Sequence, residues 1–485
     1  MVGEDQGPAV VSHRPIMRTL VRWDNHNPAA ASLERAATAN PTYHRNVSAE
    51  ASNRPAAAGG RVRRLGWGLG DQALSSITNF ALAILVARTV STADLGAFGL
   101  AFTTYTFVLG ATRAFCSEPM SVRYSARERD AWERGTRRST GAALVLGALA
   151  GALCAAVSLL FSGTLGECLF ALAVCMPGLI VQDTWRTAFF SHLRGSAAFL
   201  NDLIWAIAQL IFILAMLHGG HKSAAAFLLA WGAAASVAAV AGTLQSGVAP
   251  RPFSTGRWFR RQRDIAPRYL IEFLARNAAN AGSMYFAALF GGLSAAGALR
   301  GAQVLLGPLN ILNMGLTAPS ITEAVRISRR SPRRMLKMVV LLGAGLAVAS
   351  LVWGVGMYLL PDSAGRALLK RTWPAAHAVI LPLALAWAAS GVLTGATVGL
   401  RALAAAKRSL HARLITGALS LAGTAAGAYL ADARGAALGL ALGLWAGSFL
   451  WWRGLGAEVA EAERRLAAPA QSERPRRRSD SVAPT

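Results

Sequence analysis

The chain has 485 residues, 54% of them hydrophobic and 15% charged, with a mean hydropathy of +0.39. That composition excludes an ordinary soluble protein; the length would hold two to four soluble domains of about 150 residues, but a membrane bundle uses its length differently. The formal net charge of +25 invites a nucleic-acid reading, and the placement of the charge argues against it.

A helix needs about 20 mostly apolar residues to cross the hydrocarbon core. Twelve stretches qualify: 66–88, 96–118, 139–161, 165–185, 198–218, 224–247, 269–291, 295–317, 338–360, 375–400, 411–430 and 435–452. With the N-terminus inside, forty of the 49 Lys and Arg fall in the two tails and the even-numbered connections, Arg186 among them. The other side holds only Lys222, Arg366, Lys370, Arg371 and Arg434, and Arg88, Arg113, Arg276 and Arg300 lie within or at the ends of spans. Such a bias sets topology, placing both termini in the cytoplasm, with attraction to anionic headgroups as a secondary effect. Only four of the basic residues are lysines, and Ala and Gly abound, which points to a GC-rich bacterial genome.

In chain order, residues 1–62 are polar and aperiodic, without the apolar core of a signal peptide. They read as a disordered cytoplasmic tail, or as the product of a start assigned upstream of "RVRRLGWGLG". Asn46-Val47-Ser48 has the glycosylation pattern but no meaning on such a tail. In the first span Asp71, Ser75, Thr78 and Asn79 share one helical face. The second carries Arg113 with no acid at helical spacing, although Glu118 lies near its end. Asp183 closes the fourth span and Asp202 opens the fifth. Cys116, Cys154, Cys168 and Cys175 fall in spans without metal-binding spacing and read as packing residues.

The six spans of 63–248 are followed by a basic cytoplasmic linker, 249–268, "APRPFSTGRWFRRQRDIAPR", partly readable as an amphipathic surface helix. A second six-helix bundle follows over 269–455. In its first span, "YLIEFLARNAANAGSMYF", Glu272, Arg276, Asn280 and Ser283 form a stripe, with Asn277 beside it. Arg300 in the eighth span has no acid at helical spacing either. Pro177, Pro308 and Pro382 interrupt spans and read as candidate bends. From 456 the chain becomes a basic cytoplasmic tail: a short helix at "AEVAEAERRL", then the solvated "SERPRRRSD".

Sliding the halves by 201 positions places Gly96-Ala97-Phe98 on Gly297-Ala298-Leu299, Asp71 on Glu272 and Asn79 on Asn280. Since each half begins inside, the repeat is parallel, about an axis along the membrane normal, with a cleft between the halves. A charge at the bilayer centre is costly, about 2.5–3.5 kcal/mol on insertion scales. The two stripes therefore face either a hydrated cavity or neighbouring helices. Arg113 and Arg300 await either an anion, which a guanidinium binds through two parallel hydrogen bonds, or an acid from another helix such as Asp71 or Asp202. Arg88 reads as a snorkelling anchor. Asp183 and Asp202 are candidates to carry coupling protons or sodium ions. "GGHKS" at Gly219 lacks the spacing of a phosphate-binding loop. The eight histidines do not cluster as metal ligands.

At Gly68–Gly110, "GLGDQALSSITNFALAILVARTVSTADLGAFGLAFTTYTFVLG", and at Gly297–Gly315, "GALRGAQVLLGPLNILNMG", the sequence resembles the bacterial polysaccharide-biosynthesis flippases. These belong to the multidrug/oligosaccharidyl-lipid/polysaccharide exporter superfamily, and the resemblance covers about 63–455. It implies an all-α polytopic protein of about twelve helices in two six-helix bundles, the first and seventh helices lining a central cleft. It also implies a substrate class, oligosaccharides linked by pyrophosphate to a polyprenyl carrier. The family has no fixed arginine motif, so the assignments to follow rest on the residues themselves.

The expectation is a transporter, not an enzyme, of the bacterial inner membrane, working by alternating access. Arg276, Arg300 and Arg113 would meet the pyrophosphate, and Glu272, Asn280, Asn277, Asp71, Asn79 and Ser75 would line the cavity or couple transport. No metal or cofactor is expected, and the coupling ion, proton or sodium, is open. Partners would be the lipid-linked oligosaccharide, membrane lipid, a polysaccharide polymerase and glycosyltransferases. The alternatives are a cation-coupled multidrug antiporter of the same superfamily and a membrane-embedded polymerase or ligase.

Overall fold

The computed structural model describes residues 54–125 and 128–467, with side-chain placement from residue 66 onward except at positions 275, 276, 279, 280, 318 and 467. The expectations for the N-terminal tail before 54 and the basic end after 467 lie outside the described residues, as do those for the side chains of Arg276 and Asn280. Contacts divide the chain into Met1–Gly66 and Trp67–Thr485. The architecture below is that of the second unit.

Fourteen α-helices follow one another, with no strand among the described residues: α1 Arg54–Thr89, α2 Thr92–Phe115, α3 Ser117–Tyr124, α4 Arg129–Ser158, α5 Thr164–Ser191, α6 Gly195–His218 and α7 Ala224–Ser246. Then come α8 Thr255–Gln262, α9 Ala266–Leu305, α10 Gly307–Ser328, α11 Pro332–Tyr358, α12 Asp362–Leu369, α13 Trp373–Ala402 and α14 Ala406–Ala467. Among the described residues, ten helices are long and apolar enough to cross a membrane. Leu149, Leu153, Leu159 and Leu160 stand outward with more than half their surface uncovered, as expected where the surroundings are hydrocarbon.

Two of these helices are hairpins. In α9, Gly292 takes φ 73°, ψ 177°, a backbone open to glycine and costly for other residues. Met284 and Arg300, eight residues either side of it, both approach Gly99 of α2, so the arms 266–291 and 293–305 run side by side. In α14 the break falls at Ala431 and Asp432. There Gly423 meets Gly439 and Gly427 meets Gly435 backbone to backbone, because neither carries a side chain to hold the arms apart. Counting arms, and joining the segments that continue one another at Cys116 and Leu306, recovers the twelve expected spans.

Helix starts follow local rules: Ser91, Ser223 and Ser331 each accept a backbone N–H of the first turn through the side-chain oxygen. The stretch read as a surface linker is built into the first half: Trp258 of α8 is buried and donates from Nε1 to the Phe115 carbonyl at 2.9 Å. The short helix expected at 457–466 is not separate, since α14 runs through it to Ala467. Arg408 and Arg333, near the starts of α14 and α11, hold Glu458, Glu461 and Glu463 there.

α2 packs along α9, α4 along α5, α5 along α7, α11 along α13, and both α9 and α13 along α14. The contact of α2 with α9 joins the early helices to the late ones, and it obeys the 201-residue offset. A Cβ on Gly96 would sit 1.9 Å from the Leu293 carbonyl oxygen, and one on Gly297 would sit 1.7 Å from the Thr92 oxygen. Thr92 and Leu293 are themselves 201 apart, so the contact is reciprocal, as it must be around an approximate two-fold axis.

Candidate functional site: a charged network beside a two-fold contact

The densest polar cluster lies among α1, α5 and α6. Asp71 is wholly buried, and its Oδ2 accepts from Arg186 Nε at 2.7 Å. Arg186 Nε also lies 3.4 Å from Asp202 Oδ2. Gln182 Nε2 donates to Asp202 Oδ1 at 2.7 Å and to Asn201 Oδ1 at 3.3 Å. Asn201 in turn donates to the Ala238 carbonyl at 2.8 Å and to Gln245 at 3.2 Å. One turn before Arg186, Asp183 receives Arg113 Nε at 2.9 Å and Nη2 at 2.5 Å.

Two carboxylates, Asp71 and Asp202, thus share the single guanidinium of Arg186. Asp71 Oδ1 has no hydrogen-bond donor among the described residues and is sealed from solvent. Buried carboxylates normally have their lone pairs filled. With both acids ionised, this cluster carries one negative charge more than Arg186 balances. Next to it a cavity of about 10 Å³ is lined by Ser75, Thr78, Asn79, Asp202, Trp205, Ala206 and Gln209, on the scale of a single water or small cation.

Several expectations are redrawn by this arrangement. Arg113 does not wait for an anion: its two-pronged pair with Asp183 of α5 satisfies it, an acid 70 residues away that helical spacing could not reveal. Asp71 does not line the space between the halves but is locked inside the first one. Asn79 donates to the Ser75 carbonyl at 2.8 Å, and with Ser75 it faces α6 across the small cavity. On α9, Glu272 is exposed, and Asn277 is partly buried and donates to the Phe273 carbonyl at 3.0 Å. Arg186, the pivot of the network, was assigned from sequence to a connection; α5 carries it within its helix. Its signal was present, since Gln182 and Arg186 are four apart on one face with Asp183 alongside.

Arg300 stands apart. Its guanidinium lies over the Phe102 ring, 4.7 Å from the centroid, a cation–π placement. Its Nε is sealed from solvent without a hydrogen-bond partner, and no acid pairs with it among the described residues. Its Cγ packs 3.1 Å from where a Cβ of Gly99 would be. Gly99 and Arg300 are 201 residues apart, so Arg300 sits at the approximate axis where α2 meets α9. Nearby, Thr104 and Tyr285 share a hydroxyl hydrogen bond of 2.7 Å between the same two helices.

No family model and no curated protein matches the sequence significantly. Solved structures do match the fold. An inward-facing multidrug resistance MATE family transporter of the MOP superfamily is similar with a TM-score of 0.64 at 13% identity, over 80% of this chain and 95% of its own. The lipid II flippase MurJ in an inward closed conformation gives 0.58 at 12% identity, over 83% and 91%. An outward-facing multidrug resistance MATE family transporter gives 0.51 at 11% identity, over 84% and 96%. The chain is a multi-pass membrane protein with the fold of the multidrug/oligosaccharidyl-lipid/polysaccharide exporter superfamily.

Proposed function

We propose that the protein turns a polyprenyl-pyrophosphate-linked oligosaccharide from the cytoplasmic to the outer leaflet of a bacterial inner membrane by alternating access, with both termini cytoplasmic. The observation that carries this reading is Arg300, a guanidinium at the contact between the halves that no acid pairs with among the described residues. Asp71, Asp183 and Asp202, in contrast, are each engaged by an arginine. At the α2–α9 contact itself the charge that Arg300 brings is positive, and it suits a pyrophosphate, which takes guanidinium N–H groups in forked pairs. The prenyl chain would remain in lipid while the sugar passes between the bundles. The greater similarity to an inward-facing than to an outward-facing neighbour supports reading this conformer as the loading state.

The surplus carboxylate of the Asp71–Arg186–Asp202 cluster supports coupling to a small cation. A proton or sodium ion at Asp71 Oδ1 would neutralise it, and the adjoining cavity offers Ser75, Thr78 and Asn79 oxygens for a second contact. The same surplus favours the second reading, a cation-coupled multidrug antiporter, because it supplies an energy source without specifying the cargo. The two part at Arg300, which an anionic cargo needs and a cationic drug does not.

The test is a deletion strain carrying Arg300→Ala or Arg300→Lys at equal membrane abundance. A loss of surface polysaccharide of about tenfold for Ala, partly restored by Lys, with drug susceptibility unchanged, is the expected outcome. Full export by both variants, or a change in drug susceptibility alone, would transfer the argument to the antiporter.

A further inference from the structure

Some exposed arginines have acids: Arg129 takes Glu133, Arg326 takes Glu323, Arg333 takes Glu463, Arg408 takes Glu458 and Arg465 takes Glu461. Others do not, and the segment 249–268 gathers several of these on one short helix. Arg257, Arg260, Arg261 and Arg263 are exposed within seven residues, and none has an ion pair among the described residues. Asp264, the lone acid of the segment, is taken by Arg123 of α3. Phe253, just before α8, is 100% exposed.

This surface is held rigidly. Trp258 and Gln262, four apart, face inward and are buried. Trp258 bonds the Phe115 carbonyl and stacks on Tyr124 at 6.0 Å between centroids, and Phe259 meets Phe115 edge-on at 5.7 Å. Arg251 N–H donates to the Arg137 carbonyl at 2.8 Å, and Arg123 donates to the Arg261 carbonyl. With its inner face fixed, α8 presents Arg257, Arg260 and Arg261 outward. Beside it, between α3 and α4, an open pocket of about 580 Å³ is lined by Val122, Arg123, Tyr124 and Ala131.

We infer that α8 and Phe253 form a binding surface for anionic phospholipid headgroups. The cluster lies in the basic connection between α7 and α9, and α8 packs on Phe115 at the end of α2. Unpaired arginines there attract a negatively charged leaflet, and a fully exposed phenylalanine beside them enters the headgroup–acyl boundary. The segment is thus a lipid-reading clasp on the ends of α2 and α4 as well as a connection between bundles. This inference rests on the membrane fold and not on the identity of the transported substrate.

The four native cysteines are buried, so Gly256→Cys, whose position has open space, gives a single accessible thiol for a bimane probe on the full chain in nanodiscs. Replacing part of the phosphatidylcholine by phosphatidylglycerol should shift bimane emission to the blue. In Arg257→Gln/Arg260→Gln/Arg261→Gln, the phosphatidylglycerol content needed for half the shift should rise by about fivefold per arginine lost. The corresponding triple Lys variant should keep the response. Phe253→Ser, which removes no packed group, should reduce the shift while all arginines remain. An equal spectrum in both lipids, an undiminished shift in the Gln variant, or a full shift produced by inorganic phosphate in phosphatidylcholine nanodiscs would each overturn the assignment.

Discussion

Arg186 holds more of the buried charge together than any other described side chain. Removing it strands Asp71, with no exposed surface, and Asp202 in a low-dielectric interior. Breaking such a pair by deleting one partner costs about 3–5 kcal/mol. Arg186→Ala should therefore lower the thermal midpoint of the detergent-solubilised protein strongly, whereas Gln72→Ala, which gives up a 3.4 Å contact to Arg186, should leave it nearly unchanged. Arg113 and Asp183 form a more accessible pair, with the Arg side chain 43% exposed. A double-mutant cycle with Ala at both positions should return a coupling on the order of 1 kcal/mol; independent effects would show that the pair is incidental. The sequence revealed that these residues were polar and misplaced in lipid, but not who pairs with whom. Arg113 and Asp183 sit on different helices, and a one-dimensional spacing argument sees only partners on the same helix. Arg300 was legible as unpaired because no acid lies at helical spacing from it, and none pairs with it among the described residues.

Helices, their ends and their count were largely readable, because hydrophobic spans of fixed length and serine caps are local properties. The reversals were harder. Gly292 and Asp432 are turns so tight that helix flanks them on both sides, and nothing in the local composition separates them from an interior Gly or Asp. Glycine placement decides how close the elements come. A Cβ on Gly427 would lie 2.0 Å from the Gly435 oxygen, while one on Gly345, in α11, meets nothing within 4 Å. Gly427→Ala should destabilise by about 1–3 kcal/mol through forced separation of the α14 arms. Gly345→Ala should be neutral or slightly stabilising, since helix interiors favour Ala over Gly. Equal effects in a thermal unfolding assay would refute the close-packing account of the hairpin.

At the scale of the whole molecule, the offset of 201 residues connects the sequence to the mechanism. It was visible as a short match at Gly96 and Gly297, and in three dimensions those two residues touch. On the proposed alternating-access mechanism, a contact between equivalent positions marks the axis about which the two halves would rock. The pair leaves no room for side chains, so Gly96→Val/Gly297→Val should hold the two helices apart. The expected consequence is a population shifted away from the present conformer, read as lengthened distances between spin labels at the α2 and α9 ends on the Gly96–Gly297 side. Unchanged distances would remove the pivot. How the polar network is wired to that motion was beyond sequence reasoning, because it depends on which helix faces bundle packing turns inward.

The proposed role of the two-fold contact and its Arg300 is to move an anionic lipid-linked glycan. The direct measurement is a flipping assay in proteoliposomes holding a fluorescent polyprenyl-pyrophosphate oligosaccharide, with a membrane-impermeant quencher reporting the outer leaflet. The expected result is protein-dependent exchange of the probe between leaflets, slowed about tenfold by Arg300→Ala and restored in part by Arg300→Lys. Exchange no faster than in protein-free liposomes, or equal rates for the wild-type and Arg300→Ala proteins, would contradict it.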